Sequence, residues 1–400
     1  LTNQEEPTNV EKNQTVSRLV ATAAHIGAEI AGPAARTVDK EARFPREAID
    51  ALKEARLLSA FVPTELGGFG CGMIELAQMC ETLAQHCASA AMVFAMHQIQ
   101  VASIARHSNG SSFFRDYLRE IATKQSLIAS VTSEVGIGGE MRNSSCAVER
   151  QGERFKLDKD ASTISYGAHA DDLLVTARRS PEAPANDQSL ILVRKADYSL
   201  EQTGAWDTLG MRGTCSPPFK LRSTGSADQI LATPFADIAA HTMVPFSHVL
   251  WANCWLGIAT AAVSKSRAFV RGQARAKPGT VPPSALRLAE VAGILQTMRA
   301  NVHDVATECE RLMNGPGAGT EVLSSIAFAL KMNNVKISTS TTTSDIVNRC
   351  LLICGIMGYK NDSKFSMGQY LRDSLSAALM VSNDRVYATN ASMLLVLKDD

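Results

Sequence analysis

The feature that most limits the fold is a change of hydrophobic period, made twice along one chain. From Thr15 to about Lys124 apolar residues recur at helical spacing, as in Leu19, Ala23 and Ile26, then Ala48, Ile49, Leu52 and Leu57, then Ile74, Leu76, Met79, Leu83 and Cys87. Between Ser126 and about Ala240 the pattern turns to short runs such as Ser126–Val131, Arg154–Leu157, Asp172–Ala177 and Ser189–Val193, divided by Gln151-Gly152, by Pro181–Asp187 and by Gly225. After Pro245 helical spacing returns over Val249–Gln273, Ser284–Met313, Val322–Ile356 and Ser366–Leu397. The α, β, α order argues against alternating βαβ units. It predicts an α+β chain: an N-terminal helical domain over 1–125, a middle antiparallel β domain (barrel or sandwich) over 126–240, and a C-terminal four-helix bundle over 241–400.

Charge narrows the function classes. Forty basic residues balance forty acidic ones, so no global field attracts nucleic acid or an anionic membrane, and an anionic ligand must be held locally. The nine cysteines are odd in number and mostly sit in apolar stretches, as in a reduced protein. No Cys-x-x-Cys pair occurs, and Cys350 and Cys354 lack histidines to complete a zinc site, so no metal is expected. The polar stretch Leu1–Thr15 lacks the apolar core of a signal peptide, which points to the cytoplasm. Val249–Val263 is apolar but interrupted by Asn253 and Thr260, and it is shorter than the roughly 20 residues that span a bilayer. It reads as a buried helix. Gly136-Ile137-Gly138-Gly139 lacks the βαβ context of a dinucleotide fingerprint, and Gly315–Gly319 lacks the Lys-Ser/Thr of a P-loop.

Several motifs, met in order, carry a family resemblance. Val62-Pro63-Thr64-Glu65-Leu66-Gly67-Gly68-Phe69-Gly70 precedes a helical stretch, and Ser133–Glu140 follows the first β segment. Thr163-Ile164-Ser165-Tyr166-Gly167-Ala168-His169-Ala170-Asp171 comes next. The strongest is Asp207-Thr208-Leu209-Gly210-Met211-Arg212-Gly213-Thr214, followed near the C-terminus by Gly355-Ile356-Met357-Gly358-Tyr359 and by Arg372-Asp373. In this order they resemble the acyl-CoA dehydrogenase family along nearly the whole chain.

The resemblance implies FAD held between the β domain and the bundle, and an acyl thioester substrate on coenzyme A or an acyl carrier protein. It also implies a homodimer or homotetramer with an electron-transfer partner. In that family a carboxylate removes the α proton of the thioester while hydride leaves the β carbon for the flavin. Here the usual base position is Val381 and the alternative one falls near Ser247. Neither side chain accepts a proton as a glutamate would. Asp384, three residues past Val381 on an expected continuous helix, is the candidate catalytic residue, set against a surface or capping role. His248 is an outside candidate. The implied cofactor contacts are Ser130, Thr132, Ser133, Gly139, Thr163, Ser165, Arg271, Gly355 and Gly358. Thr163 replaces the family tryptophan beside the ring, Ala274 and Arg275 replace a phenylalanine and a glycine, and Leu352 replaces a glutamine. These changes, with the missing glutamates, leave two other readings: a flavin-dependent monooxygenase on the same fold, and an inactive partner subunit of a heteromeric enzyme.

Overall fold

The structure is a computed structural model and describes residues 9–137, 140–315 and 319–398; Gly139, expected at the cofactor, lies outside the described residues. The first part is helical: α1 (Asn9–Ile26), α2 (Gly32–Glu41), α3 (Arg46–Glu54), α4 (Met73–Ala84), α5 (Ala88–His107) and α6 (Ser112–Lys124). A π turn over Gly27–Ala31 joins α1 to α2 just ahead of Pro33, whose ring cannot tolerate the usual carbonyl four residues back. α5 is buried on nearly every face, so its apolar residues show no amphipathic stripe.

The middle part holds β1 (Ile128–Val131), β2 (Glu149–Gln151), β3 (Arg154–Ala161), β4 (Asp172–Arg178), β5 (Gln188–Val193), β6 (Tyr198–Gln202) and β7 (Phe219–Ser226). Two sheets form, one ordered β1-β4-β5 and one ordered β2-β3-β7-β6. In β3 and β7 exposed and buried residues alternate strictly, because one face meets solvent; β4 and β5 are buried on both faces. The pairing is antiparallel except at β1 and β4, which run parallel with Ile128 opposite Asp172. That one pair departs from the all-antiparallel expectation. The chain leaves the first sheet after β1, forms the β2–β3 hairpin in the second, and returns at β4, which leaves room for a parallel partner.

The last part contains α7 (Phe235–Ile238), α8 (Val244–Ala276), α9 (Ser284–Asn314), α10 (Gly319–Leu323), α11 (Ile326–Cys354), α12 (Ile356–Tyr359), α13 (Gly368–Leu379) and α14 (Asn383–Leu394). α8, α9 and α11 pack on one another, and α8 also packs on α4 and α5, tying the bundle to the first part. α5 and the Phe235–Ala276 helix are long and apolar enough to cross a membrane, but 89% of each apolar window is buried inside the protein. They are core helices. The expected continuous helix Ser366–Leu397 is broken: α13 ends at Leu379, Val381 turns left-handed at φ 49°, and α14 starts afresh at Asn383. The fourth bundle position is therefore an elbow of two short helices packed on α11.

The Asp207–Thr214 signature is the joint that sets these parts against each other. A Cβ on Gly210 would lie 2.1 Å from the Arg372 carbonyl oxygen of α13, and one on Gly213 would lie 2.4 Å from Val38 Cγ1 of α2. Only glycine permits both approaches. Met211 N–H donates to Asp373 Oδ1 at 2.6 Å, Arg212 Nε donates to the Asp39 carbonyl at 2.9 Å, and Arg372 forms an ion pair with Asp39. Burial raises the Asp373 carboxyl to about 7, opposed by the Met211 hydrogen bond and assisted by nearby Asp39.

Candidate functional site

Three groups of residues outside this joint bear on a site. The first is a ledge of hydroxyls. The loop after β1 is pinned by buried Glu134, which accepts from Ser145 N at 3.0 Å, Cys146 N at 2.8 Å and Ser144 Oγ at 2.8 Å. Its charge is met by Lys159 Nζ at 3.6 Å, fully buried and itself donating to the Thr176 carbonyl at 2.7 Å. Desolvation nonetheless pulls the Lys159 amine below its ordinary range.

On the loop so held, Ser133 Oγ donates to the Thr163 carbonyl at 2.5 Å and accepts from Thr163 N at 3.2 Å. Beside it, Ser216 Oγ donates to Ser165 Oγ at 2.9 Å, and Thr214 Oγ1 donates to the Met211 carbonyl at 2.9 Å. Thr214 Oγ1 lies 2.9 Å from Ser216 Oγ, so a row of hydroxyls runs from the signature joint to Ser165. Ser130 and Thr132 are half-buried at the end of β1 and make no side-chain hydrogen bond among the described residues. Of the expected contacts, the structure therefore brings Thr132, Ser133, Thr163 and Ser165 to one edge. Thr214 and Ser216 were missed, although both lie at the end of the signature and could have been read as extra donors.

The second group surrounds the elbow. Val381 is exposed and Ser247 is buried, so neither glutamate position carries a carboxylate. Asp384 does not project from a helix shared with Val381, because the backbone turns left-handed between α13 and α14; it stands exposed in the first turn of α14 without an ion pair among the described residues. The capping position is Ser382, two residues earlier. His248 is buried on α8, its Nδ1 3.0 Å from the Met332 carbonyl, and desolvation pushes its imidazole down to about 4. That geometry makes Nδ1–H the donor to Met332 in the neutral ring. Lys336 of α11, unnoticed in the sequence, is fully buried beneath the elbow, with Nζ 3.2 Å from the Val381 carbonyl and 2.5 Å from Asn383 Oδ1.

The third group is a groove of about 410 Å³ lined by Lys265, Ala268, Arg271, Arg275, Lys364 and Phe365. None of its four cations has a carboxylate partner among the described residues; Lys265 instead lies over the Tyr370 ring at 4.7 Å and Lys364 over Phe365 at 5.1 Å. Such a groove suits a phosphate-bearing anion. Arg271 was expected there, whereas the clustering of the two lysines needed the fold. Gly355 stands at φ 55°, ψ −136°, with open space where a side chain would be, and Gly358 packs on Cys354 and Leu351 of its own helix end. No hydrogen bond or ion pair among the described residues joins groove to ledge.

Helices, two small sheets and a helical elbow, with hydroxyls on the sheet edge and cations along the bundle, define an α+β protein. Residues 13–148 match the acyl-CoA dehydrogenase N-terminal domain. Cyclohex-1-ene-1-carbonyl-CoA dehydrogenase of Geobacter metallireducens is 28% identical over 183 residues, 46% of this chain and 48% of that protein, so the match spans about half the length of that relative. The probable acyl-CoA dehydrogenase fadE25 of Mycobacterium bovis is 24% identical over 349 residues, 86% of this chain and 85% of that one. Among solved structures, FMN-bound TdsC of Paenibacillus sp. A11-2, a dibenzothiophene monooxygenase, superposes with a TM-score of 0.81 at 18% identity, covering 94% of this chain and 97% of that one. Butyryl-CoA dehydrogenase of Megasphaera elsdenii superposes with a TM-score of 0.81 at 16% identity, covering 98% and 99%. Over residues 13–148 the chain is thus similar to acyl-CoA dehydrogenases, and over nearly its whole length it has the fold of butyryl-CoA dehydrogenase and TdsC.

Proposed function

We propose that this chain is a flavin-dependent oxidoreductase acting on an acyl thioester of coenzyme A or an acyl carrier protein, with FAD as cofactor and α,β-desaturation as the reaction. The observation that carries the reading is the hydroxyl ledge, where Ser165, at the end of the hydroxyl row, and Thr132, without a side-chain hydrogen bond among the described residues, stand near the signature joint. The ledge fits the polar edge of a flavin ring, and the carboxylate-free cationic groove fits its phosphates. A bound flavin supplies hydride acceptance. The chain's own part is to hold: Thr132, Ser133 and Ser165 at the ring edge, Arg271 at the diphosphate. Asp384 is the side chain proposed to take the α proton. Exposed Leu352, Ile356 and Tyr359 beside Gly355 support an assembly of copies, a homodimer or homotetramer, that covers them.

A second reading is favoured by Val381 and Ser247: without a glutamate at either position, the same fold and flavin would serve oxygen chemistry as a monooxygenase. TdsC, similar in fold, is such an enzyme. Anaerobic addition of acyl-CoA to the flavin-loaded protein separates the two. Desaturation predicts bleaching that Asp384→Asn abolishes while resting absorbance stays intact; oxygenation predicts no bleaching, with oxygen uptake once the flavin is reduced chemically. Undiminished bleaching in the variant removes Asp384 from the mechanism.

A further inference from the structure

Lys336 stands apart from the site's other charges. It is fully buried on α11, and no carboxylate among the described residues lies within ion-pair distance of it. Its hydrogen bonds go to two neutral oxygens, both on the elbow: the Val381 carbonyl at 3.2 Å and Asn383 Oδ1 at 2.5 Å. Asn383 is held in turn, its Nδ2 donating to Ser340 Oγ at 3.1 Å one turn further along α11. A buried cation without a counter-charge is costly and is kept where its donors do something no apolar residue could.

What the donors hold is strained. Val381 is β-branched and adopts φ 49°, a left-handed conformation such residues avoid. Strain of this kind persists only when the surroundings over-determine it, and it gathers at working sites. Two residues past Asn383, the charge of Arg385 reaches Glu140 on the loop after β1; the Glu140 carboxyl is lowered first by its hydrogen bond from Arg142 and further by Arg385.

We propose that Lys336 is a positioning residue: its ammonium, donated to Val381 and Asn383, clamps the α13–α14 elbow in its left-handed turn and so fixes the wall that faces the ligand across from the hydroxyl ledge. The proposal rests on the flavin reading only for what lies opposite the elbow; the clamp itself rests on the geometry. The titratable group facing Lys336 from α8 is His248, which burial keeps neutral near pH 7. The contacts from the elbow and α14 are neutral, and α9 and α13 place no carboxylate within ion-pair distance. Desolvation brings the Lys336 amine down to about 8, so its charge is lost within the range where the protein can be assayed.

The test uses the flavin-loaded full chain and its Lys336→Met variant, with Asn383→Ala as the second arm. Backbone hydrogen exchange over residues 380–386 is expected to rise about tenfold or more in Lys336→Met, the order expected for losing hydrogen bonds from a charged donor, while exchange in the middle of α8 and α9 stays unchanged. Asn383→Ala should give a smaller rise, and the double variant less than the sum of the two. Flavin bleaching by butyryl-CoA should lose its dependence on an ionisation near pH 8 in the Lys336→Met protein. Unchanged exchange at the elbow, or a rise spread evenly over the bundle, would overturn the clamp. Absence of bleaching in the unaltered protein would count against the desaturase reading instead, since the exchange arm needs no turnover. Should Lys336→Met fail to fold, Asn383→Ala alone must still raise exchange at 380–386, or the proposal is refuted.

Discussion

Replacing Asp373 by asparagine should flatten a pH dependence of stability that the signature joint builds into this protein. Asp373 is 2% exposed and accepts from Met211 N at 2.6 Å. Burial lifts its carboxyl from an ordinary 3.8 to about 7. Between those values the folded chain holds a proton that the unfolded chain has released, so stability is full at the acid end and falls as pH rises through about 7. A displacement of that size, with the opposing pull of Arg372 already in it, corresponds to on the order of 4 kcal/mol. Asparagine keeps an oxygen for Met211 N–H and carries no charge at any pH. Urea midpoints measured from pH 4.5 to 8 should therefore diverge: the unaltered protein loses stability relative to Asp373→Asn as pH rises, and the variant is the more stable of the two at pH 8. Parallel curves across that range would show that the carboxyl titrates as it does in water, and the account of the joint would be wrong.

Two further outcomes follow from named contacts. Gly210→Ala should destabilise by about 1–3 kcal/mol or more in thermal unfolding, because its Cβ would meet the Arg372 backbone at 2.1 Å and no side chain can swing away; an unchanged Tm would mean the joint is loose. Arg271→Ala should weaken flavin retention about tenfold, read by titration of the apoprotein with FAD, since a charge-assisted contact to phosphate is lost; equal affinity would mark Arg271 as a surface charge.

Much of the architecture was legible because periodicity reports burial. The alternation of β3 and the helical spacing of α8, α9 and α11 reflect faces that meet either core or solvent, whereas β7, with only Phe219 and Leu221 apolar on its buried face, was not singled out. The parallel β1–β4 pair was not legible, since a strand's partner depends on where the chain returns rather than on its own pattern. Nor was the elbow. Residues 379–383, Leu-Met-Val-Ser-Asn, contain no glycine or proline, and the break is imposed by tertiary contacts, Lys336 among them. The same override moved Asp384 away from the face that uninterrupted helical geometry would have given it. Of the site, the signature residues could be read because close backbone approach demands glycine at Gly210 and Gly213. The hydroxyl chain through Thr214 and Ser216, and the lysines that join Arg271 in the groove, depend on elements distant in sequence and appear only when the chain is folded.

The central claim is that sheet edge and bundle together hold a flavin. The most direct measurement is the visible absorbance of the purified full chain after incubation with FAD and removal of excess, followed by mass determination of what denaturation releases. The account predicts a yellow protein that yields a flavin in stoichiometric amount. A folded protein that stays colourless with either FAD or FMN would contradict it.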